Sequence, residues 1–594
     1  MGLGILEDRV MEHVPGTTRY FDDPERPQYA ANGAYGSLKC DTSGPLPIIL
    51  VPQPSDDPND PLNWPLWKRD LITFILSLTA IFATSLGPIL AANTLTLTFD
   101  FSIPFTGVAE LTGWYLLGVG VAAFIVVPSG RIWGKRHMFV AGTILLVATS
   151  AWGGASRHKR TSMIVSRVFQ GVATAPFESL VNAAVGDLYC VHQRGIRMAF
   201  TNLAVFGGAF FTPIVVGKIT NSIGWWWTFY LVAIFCAACL PLIFFFCPET
   251  AYRRETALNL DLLDTDANPM ADVVPNDIDA NPMADVVPND IATANTNTDV
   301  EKSGASTGET SVAAAKEQAR RGDSSEVNGT ARRPVPAKMT YAQSLALFNG
   351  RKTDESFWKL LLRPFPLFLQ PAFLWACLIQ GLLIGWTVFI GVILAQFFLS
   401  TPLWWGEVKT GYAYTAAFVG AIIGFAIAGA LSDWSAKLMT KWNGGVYEPE
   451  FRIVLVIPQM VLGCAGLYGW GRTVDGLLME TYHYAVPLTF FALEVAGMVI
   501  GAVASSLYIV DAYRDLAIEG FTCMIIFKNL FSFGLTLRGF DWLVQTHTKA
   551  TPLFNIIASV QLVVCLLSIP MYVFGKRIRS FFHRHDLLEI CKVR

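Results

Sequence analysis

The sequence is short of charge. Asp, Glu, Lys and Arg make up 15% of its 594 residues, where a soluble domain carries about a quarter. It also lacks the marks of an enzyme. Its ten cysteines are scattered, with Cys236, Cys239, Cys377, Cys464 and Cys565 inside apolar runs; Cys236 and Cys239 stand as one C-A-A-C in an apolar run, with no second pair and no His/Cys cluster beside it to complete a metal site. Neither a disulfide framework nor a zinc site is indicated, and no cofactor is expected. The eight histidines are dispersed, and HExxH and GxxxxGK followed by Ser or Thr are missing. This argues against a zinc hydrolase and against ATP drive. The one GxSxG, GASTG at 304–308, lies in a polar segment without the strand-to-helix turn that a nucleophile elbow needs. A channel would need a filter loop or a charged ring, and neither is seen. The opening MGLGILEDRVMEH has no long apolar run of the signal-peptide kind. The first membrane helix is therefore expected to act as the insertion signal. The net charge of −2 names no charged partner, and no nucleic acid is expected.

What is present is apolar sequence. Hydrophobic residues fill 53% of the chain. A span needs about 20 mostly apolar residues. Runs of that kind lie at 71–97, 104–127, 138–156, 162–186, 198–220 and 226–247, and again at 372–398, 411–431, 452–470, 484–509, 518–540 and 552–574. The expectation is an all-α polytopic membrane protein with twelve transmembrane helices in two pseudo-symmetric six-helix bundles, residues 67–249 and 366–576. Lys and Arg decide orientation. With the N-terminus inside, the inner segments and tail (Arg131, Lys135, Arg136, Arg194, Arg197, Lys437, Lys441, Arg452, Arg514, Lys576, Arg577, Arg579, Arg584) outnumber the outer loops about two to one, although RHKR at 157–160 runs the other way. Both termini, including the tail 577–594, are expected in the cytosol, and the plasma membrane is the expected location.

Residues 1–66 are acidic and proline-rich and are expected to be a largely disordered cytosolic tail. Residues 250–365 form a polar linker in which DANPMADVVPNDI occurs at 266–278 and again at 279–291. Two prolines per unit and no apolar stripe mark a duplication in a disordered cytosolic segment. There the glycosylation sequon at Asn328 is expected to stay silent.

The fourth run carries the chemistry. Arg167, Gln170, Thr174, Glu178 and Asn182 follow one another at helical spacing and form one polar stripe. A charge near the bilayer centre costs about 2.5–3.5 kcal/mol on insertion scales, so the stripe must face protein or water. The tenth run offers Glu494, with Gly497, Gly501, Ser505 and Tyr508 near the same face. The eleventh brings Lys528 and Asn529 to mid-depth, and the second brings Glu110 nearer the outside. Three carboxyls and two cations are thus candidates for a cavity between the halves. Desolvation favours a neutral carboxyl and a nearby cation a charged one. A proton and a substrate could then compete for one site. The competing reading is an ion pair, such as Arg167 with a carboxyl, that only locks helices together. Most aromatic residues suit interfacial belts; Trp386, Tyr412 and Tyr414 are candidates for a cavity wall.

Short motifs add a resemblance. Residues 128–137, PSGRIWGKRH, hold Gly134, Lys135 and Arg136, with Arg131 at the position of an expected acid; ALSDWSAK at 430–437 holds Asp433 and Lys437. SRVFQG surrounds Arg167, and GGAFFTPIVVG holds Gly208, Pro213 and Gly217, with Thr212 and Val216 replacing two glycines of GxxxGPxxGG. DPLNWPLWKR, GWWWTFY, PETAYRR and YEPEFR accompany them. With the six-plus-six layout, these resemble the major facilitator superfamily, and within it the fungal twelve-helix drug:proton antiporters, over about residues 57–255 and 365–580. The resemblance implies charged gating loops at 134–136 and 433–437, proton coupling at Arg167 and a helix-5 pivot. It implies a secondary active transporter, monomeric, with a small organic substrate and protons as partners and the lipid bilayer as its medium. Export of a secondary metabolite, toxin or drug is the leading expectation. Uptake of a nutrient or organic cation such as a polyamine is the alternative, and a non-transporting sensor is a third.

Overall fold

The computed structural model describes residues 2–11, 14–19, 39–41, 48–50, 52–252, 337–399, 402–544 and 549–593. The chain divides into two compact units, and every described residue belongs to the larger. The tandem repeat, the Asn328 sequon and most of the linker lie outside the described residues.

Twelve long helices coincide with the twelve apolar runs. The first half holds α1 (Leu66–Ser85), α2 (Phe105–Trp133), α3 (Arg136–Ala155), α4 (Arg160–Leu188), α5 (Val191–Ile223) and α6 (Trp226–Phe246). The second holds α7 (Pro371–Leu399), α8 (Thr415–Trp442), α9 (Val456–Leu478), α10 (Ala485–Ala512), α11 (Ala517–Val544) and α12 (Ala550–Leu566), which continues as Ser568–Arg584. Among the described residues, ten helical stretches are long and apolar enough to cross a membrane; α1 and α4 fall outside that group. In α4 the reason is visible: Arg160, Arg167, Glu178 and Asp187 interrupt its apolar sequence.

The first run was expected to continue to residue 97. Instead α1 ends at Ser85, Pro88–Leu90 forms a tight turn and Thr94–Phe101 a separate short helix. Pro88 has no N–H and its ring crowds the preceding turn, whereas averaged hydropathy does not register the break. Other helices outrun their apolar cores, α2 to Trp133 and α8 to Trp442. Helical hydrogen bonding needs no apolar side chains once the chain reaches water.

Residues 2–11 and the segment after α12 meet at one end of the helices, where Leu6 N–H donates to the Val573 carbonyl at 3.0 Å. We call this the terminal end and its opposite the far end. Ile5 and Val14 are buried there, and Thr18–Arg19 pairs antiparallel with Val446–Tyr447. For these residues the expectation of a disordered tail does not hold.

The halves meet through α2 and α4 against α11, and through α5 against α8 and α10. Within the first half, α2 and α4 touch backbone to backbone. A Cβ on Gly118 would overlap the Val168 carbonyl, and one on Gly171 the Tyr115 carbonyl. Small residues permit this approach where lipid supplies no hydrophobic drive between helices.

Candidate functional site

Between the halves lies a cavity with about 1130 Å³ of space between its atoms. Its walls are mostly apolar and include Tyr115, Phe206, Phe210 and Tyr414, with Thr387 and Ser532 among the few polar groups. At its floor, Lys528 Nζ lies 2.7 Å from Glu178 Oε2, and Asn529 Nδ2 donates to the same oxygen at 3.3 Å. The Lys528 ammonium also stands 5.7 Å from the Phe206 ring centre. A smaller cavity, toward the terminal end, is lined by the same Glu178 and Lys528 together with Asn182, Asn202, Gln380 and Ser506. The ion pair thus separates two chambers and joins α4 of one half to α11 of the other.

The polar stripe of α4 divides in two. Glu178 and Asn182 face the chambers, and Asn182 accepts from Thr201 Oγ1 at 2.9 Å. Arg167 does not line the cavity. It is fully buried and donates to the carbonyls of Leu86 (2.5 Å), Gly87 (3.2 Å) and Leu111 (3.2 Å) and to Gln170 Oε1 (3.0 Å). Tyr115 presents its ring 4.8 Å away. The expected carboxyl partner is replaced by the exposed carbonyls at the end of α1, freed by the break before Pro88. Gln170 in turn donates to the Thr149 carbonyl of α3 at 3.1 Å.

The other expected carboxyls also separate. Glu494 is fully buried behind the cavity wall, accepts from Thr387 Oγ1 at 2.6 Å, and has no hydrogen-bond partner for Oε2 among the described residues. Thr387 lines the cavity, so Glu494 reaches it through one hydroxyl. Glu110 is not in the cavity; it pairs with Arg160 at 2.9 Å on a partly exposed surface. Of the aromatic candidates only Tyr414 lines the cavity, whereas Trp386 packs edge-on against Phe531 and Tyr412 is exposed.

Ion pairs close the terminal end. Arg131, standing where an acid was expected, reaches Glu519 of α11 at 2.6 Å and Glu355 at 3.1 Å. Arg194 of α5 pairs with Asp511 of α10 at 3.2 Å, and Asp511 also holds Arg452 at 3.1 Å. Asp433 lies 3.5 Å from Arg452. Lys135 and Arg136 serve the first half itself. Lys135 pairs with Asp187, and both backbone N–H groups donate to the Glu249 carboxylate, at 2.9 and 3.1 Å. That carboxylate caps α3, a favourable place for negative charge. Gly134 has φ +93°, and a Cβ there would overlap Glu249. Lys437 is exposed.

Gly195 sits where α5 crosses α8, and a Cβ there would run into the Asp433 carboxylate. Gly195→Ala is expected to loosen this end by about 1–3 kcal/mol, the usual cost of overpacking. The check is faster maleimide labelling of a cysteine placed at Ser506, with flux reduced.

Glu355 offers a pH test. Burial alone would raise its carboxyl, but the Arg363 hydrogen bond and the Arg131 charge hold it below its ordinary 4.5. A depressed carboxylate stabilises the fold above its ordinary value and loses that contribution only as pH falls below it. Glu355→Gln should therefore leave the shape of the flux–pH profile unchanged between about pH 5 and 7, while lowering thermal stability at neutral pH.

At the far end, Gly217 and Gly411 bring α5 against the helix Glu407–Ala413, each Cβ position facing a backbone carbonyl of the other element, Glu407 and Pro213. Gly208 packs instead on Ile81 of α1. Thr96, in the short helix after α1, donates to Glu407.

Several functional candidates escaped sequence reasoning. Arg194 counted only as an orientation charge, Arg452 as that and as the last residue of YEPEFR, and Asp511 and Glu519 attracted no notice at helix ends. PETAYRR and YEPEFR marked the places of Glu249, Glu448 and Glu450 without giving their partners.

The family description Major Facilitator Superfamily matches residues 72–517. The chain belongs to the major facilitator superfamily. Members of the superfamily are transporters, not enzymes, so this is an integral multi-pass membrane transporter. A Saccharomyces cerevisiae superfamily relative, protein HOL1, is 25% identical over 600 residues, covering 98% of this chain and 97% of that one. The Candida glabrata multidrug transporter TPO1_2 is 30% identical over 199 residues, 33% of this chain and 34% of its own. Among solved superfamily structures, the proton:xylose symporter XylE bound to 6-bromo-6-deoxy-D-glucose aligns with a TM-score of 0.52 at 12% identity, over 86% of this chain and 96% of that chain. That likeness concerns the fold alone.

Proposed function

We propose that this transporter couples proton movement to export of a small organic compound by alternating access. The observation that carries the reading is the Glu178–Lys528 pair between two chambers. A proton taken up by Glu178 cancels its charge and releases Lys528. A substrate in the upper chamber competes for the same carboxylate. Breaking the pair also uncouples α4 from α11, the contact that must change when the halves rock. The apolar walls suit a largely apolar molecule. Two relatives that match about a third of the chain, the Candida glabrata multidrug transporter TPO1_2 and the Candida albicans MFS antiporter QDR3, support the export reading. We further propose that the terminal end faces the cytosol, that the protein resides in the plasma membrane and that it acts as a monomer.

A second reading is uptake of an organic cation. It is favoured by one feature: a cation replacing the Lys528 ammonium would find both the Glu178 carboxylate and the Phe206 ring. Mass-spectrometric profiling of cells and medium, with and without the gene, separates the two. A compound retained inside the deletion strain means export; one left in the medium means uptake. No change in either would overturn both the export and the uptake readings for the compounds profiled.

A further inference from the structure

We propose that residues 2–11 and 14–19 form a latch that holds the terminal end of the transporter closed. The inference rests on the alternating-access reading above.

The segment is seated by specific chemistry on the second half. Leu3 offers its carbonyl to Tyr572 (3.0 Å), Glu7 pairs with Lys576 (2.6 Å), and Asp8 accepts from Ser580 (2.5 Å). Next comes a buried charge cluster. Arg579 lies 2.9 Å from Glu448 and 2.8 Å from Glu450, and Lys576 lies 2.9 Å from Glu448. The N-terminal segment completes this cluster. The Pro15 carbonyl accepts from Arg579, and Thr17 Oγ1 donates to Glu448 at 2.7 Å. Gly16 turns between them with φ +92°, its Cβ position 3.2 Å from the Ala512 carbonyl at the end of α10. A side chain there would be strained by conformation and by contact.

Two features connect this seat to the other half. Ile5 shares an apolar cluster with Ala436, Tyr447 and Phe451 of the second half and with Val191, the first residue of α5. Thr18–Arg19 pairs with Val446–Tyr447. The Tyr447 hydroxyl donates to Asp511 at 2.6 Å, and Asp511 holds Arg194 of α5 at 3.2 Å. The segment thus fixes the strand that positions the acid of the cross-half ion pair, and it adds apolar contact at the same seam. When this end opens, α5 must leave α8 and α10. The latch favours the closed state through the contacts that cross the seam, Ile5 against Val191 and the Asp511–Arg194 pair that the strand supports, because these are lost when the end opens.

The test reads conformation and needs no substrate. Ser506, which lines the lower chamber, becomes the only reporter when Ser506→Cys is combined with Cys40→Ser and Cys591→Ser; the other cysteines are buried. A membrane-impermeant maleimide is applied to sealed vesicles with the terminal end outward. Ile5→Asp and Gly16→Val are compared with the parent and with Arg194→Ala, each checked for monodisperse protein. Labelling that rises several-fold in both latch variants, as in Arg194→Ala, supports the latch. Labelling that rises in Arg194→Ala but stays at the parent rate in monodisperse latch variants overturns it. If Arg194→Ala also labels at the parent rate, the alternating-access reading fails, and the latch with it.

Discussion

Glu178→Gln is expected to lower proton-driven flux by about tenfold or more while the protein still reaches the membrane. The glutamine retains the shape of the side chain and the contact with Asn529, but it cannot exchange a proton and leaves the buried Lys528 without its 2.7 Å partner. Breaking a buried pair from one side costs about 3–5 kcal/mol, largely through the stranded charge. A loss in the single variant therefore does not by itself separate coupling from structure. The neutral double variant Glu178→Gln with Lys528→Met does. It removes both charges, so stability should recover toward the parent in a detergent melting assay. If the pair only locks α4 to α11, flux recovers with it. If Glu178 carries the proton, flux stays low although the protein is stable. Wild-type flux in Glu178→Gln alone would refute the coupling role outright.

Arg167→Ala should act differently, by removing folded transporter. Its guanidinium satisfies three carbonyls and Gln170 at the joint between α1, α2 and α4. Hydrogen bonds to charged groups are worth about 1.5–3 kcal/mol each, and their loss strips the Leu86, Gly87 and Leu111 carbonyls of this partner. The expected outcome is a strong fall in membrane-inserted, monodisperse protein. Arg167→Lys keeps the charge but not the fork that spans Leu86 and Gly87. It should give intermediate stability and, where it folds, the parent's flux–pH profile. A shifted profile in stable Arg167→Lys would instead put Arg167 in the proton path.

The two predictions mark what could be read from sequence. Helical spacing put Arg167 and Glu178 on one stripe, and the cost of charge in lipid required both to be sheltered. Spacing could not say by what. Lys528 was legible as a mid-depth cation for a cavity between the halves, but spacing did not name its partner, which is Glu178. The partners of Arg167 are backbone carbonyls, which every residue has, so no residue type announced them. Glu110 was misplaced because depth along α2 does not fix which way the side chain turns; Arg160, at the start of α4, drew it to the surface. Glu519 and Asp511 sit near helix ends, where acids are common, and only the packing of the halves gives them Arg131 and Arg194. The N-terminal residues share their composition with disordered chains. Their order comes from a seat built more than four hundred residues away, as the Thr17–Glu448 separation of 431 positions illustrates.

The layer between the two chambers has an electrical consequence. On the proton-coupling reading, hydration of the two chambers would concentrate the membrane voltage across the thin band that holds Glu178 and Lys528. Moving one elementary charge through the full field is worth about 2.3 kcal/mol per 100 mV. While the pair is intact its charges cancel, and rocking of the halves is electrically silent. If Glu178 carries the proton, protonating it leaves the Lys528 ammonium uncompensated and makes the same motion voltage-sensitive. The proposed coupling therefore predicts that the membrane potential acts on the protonated leg of the cycle alone.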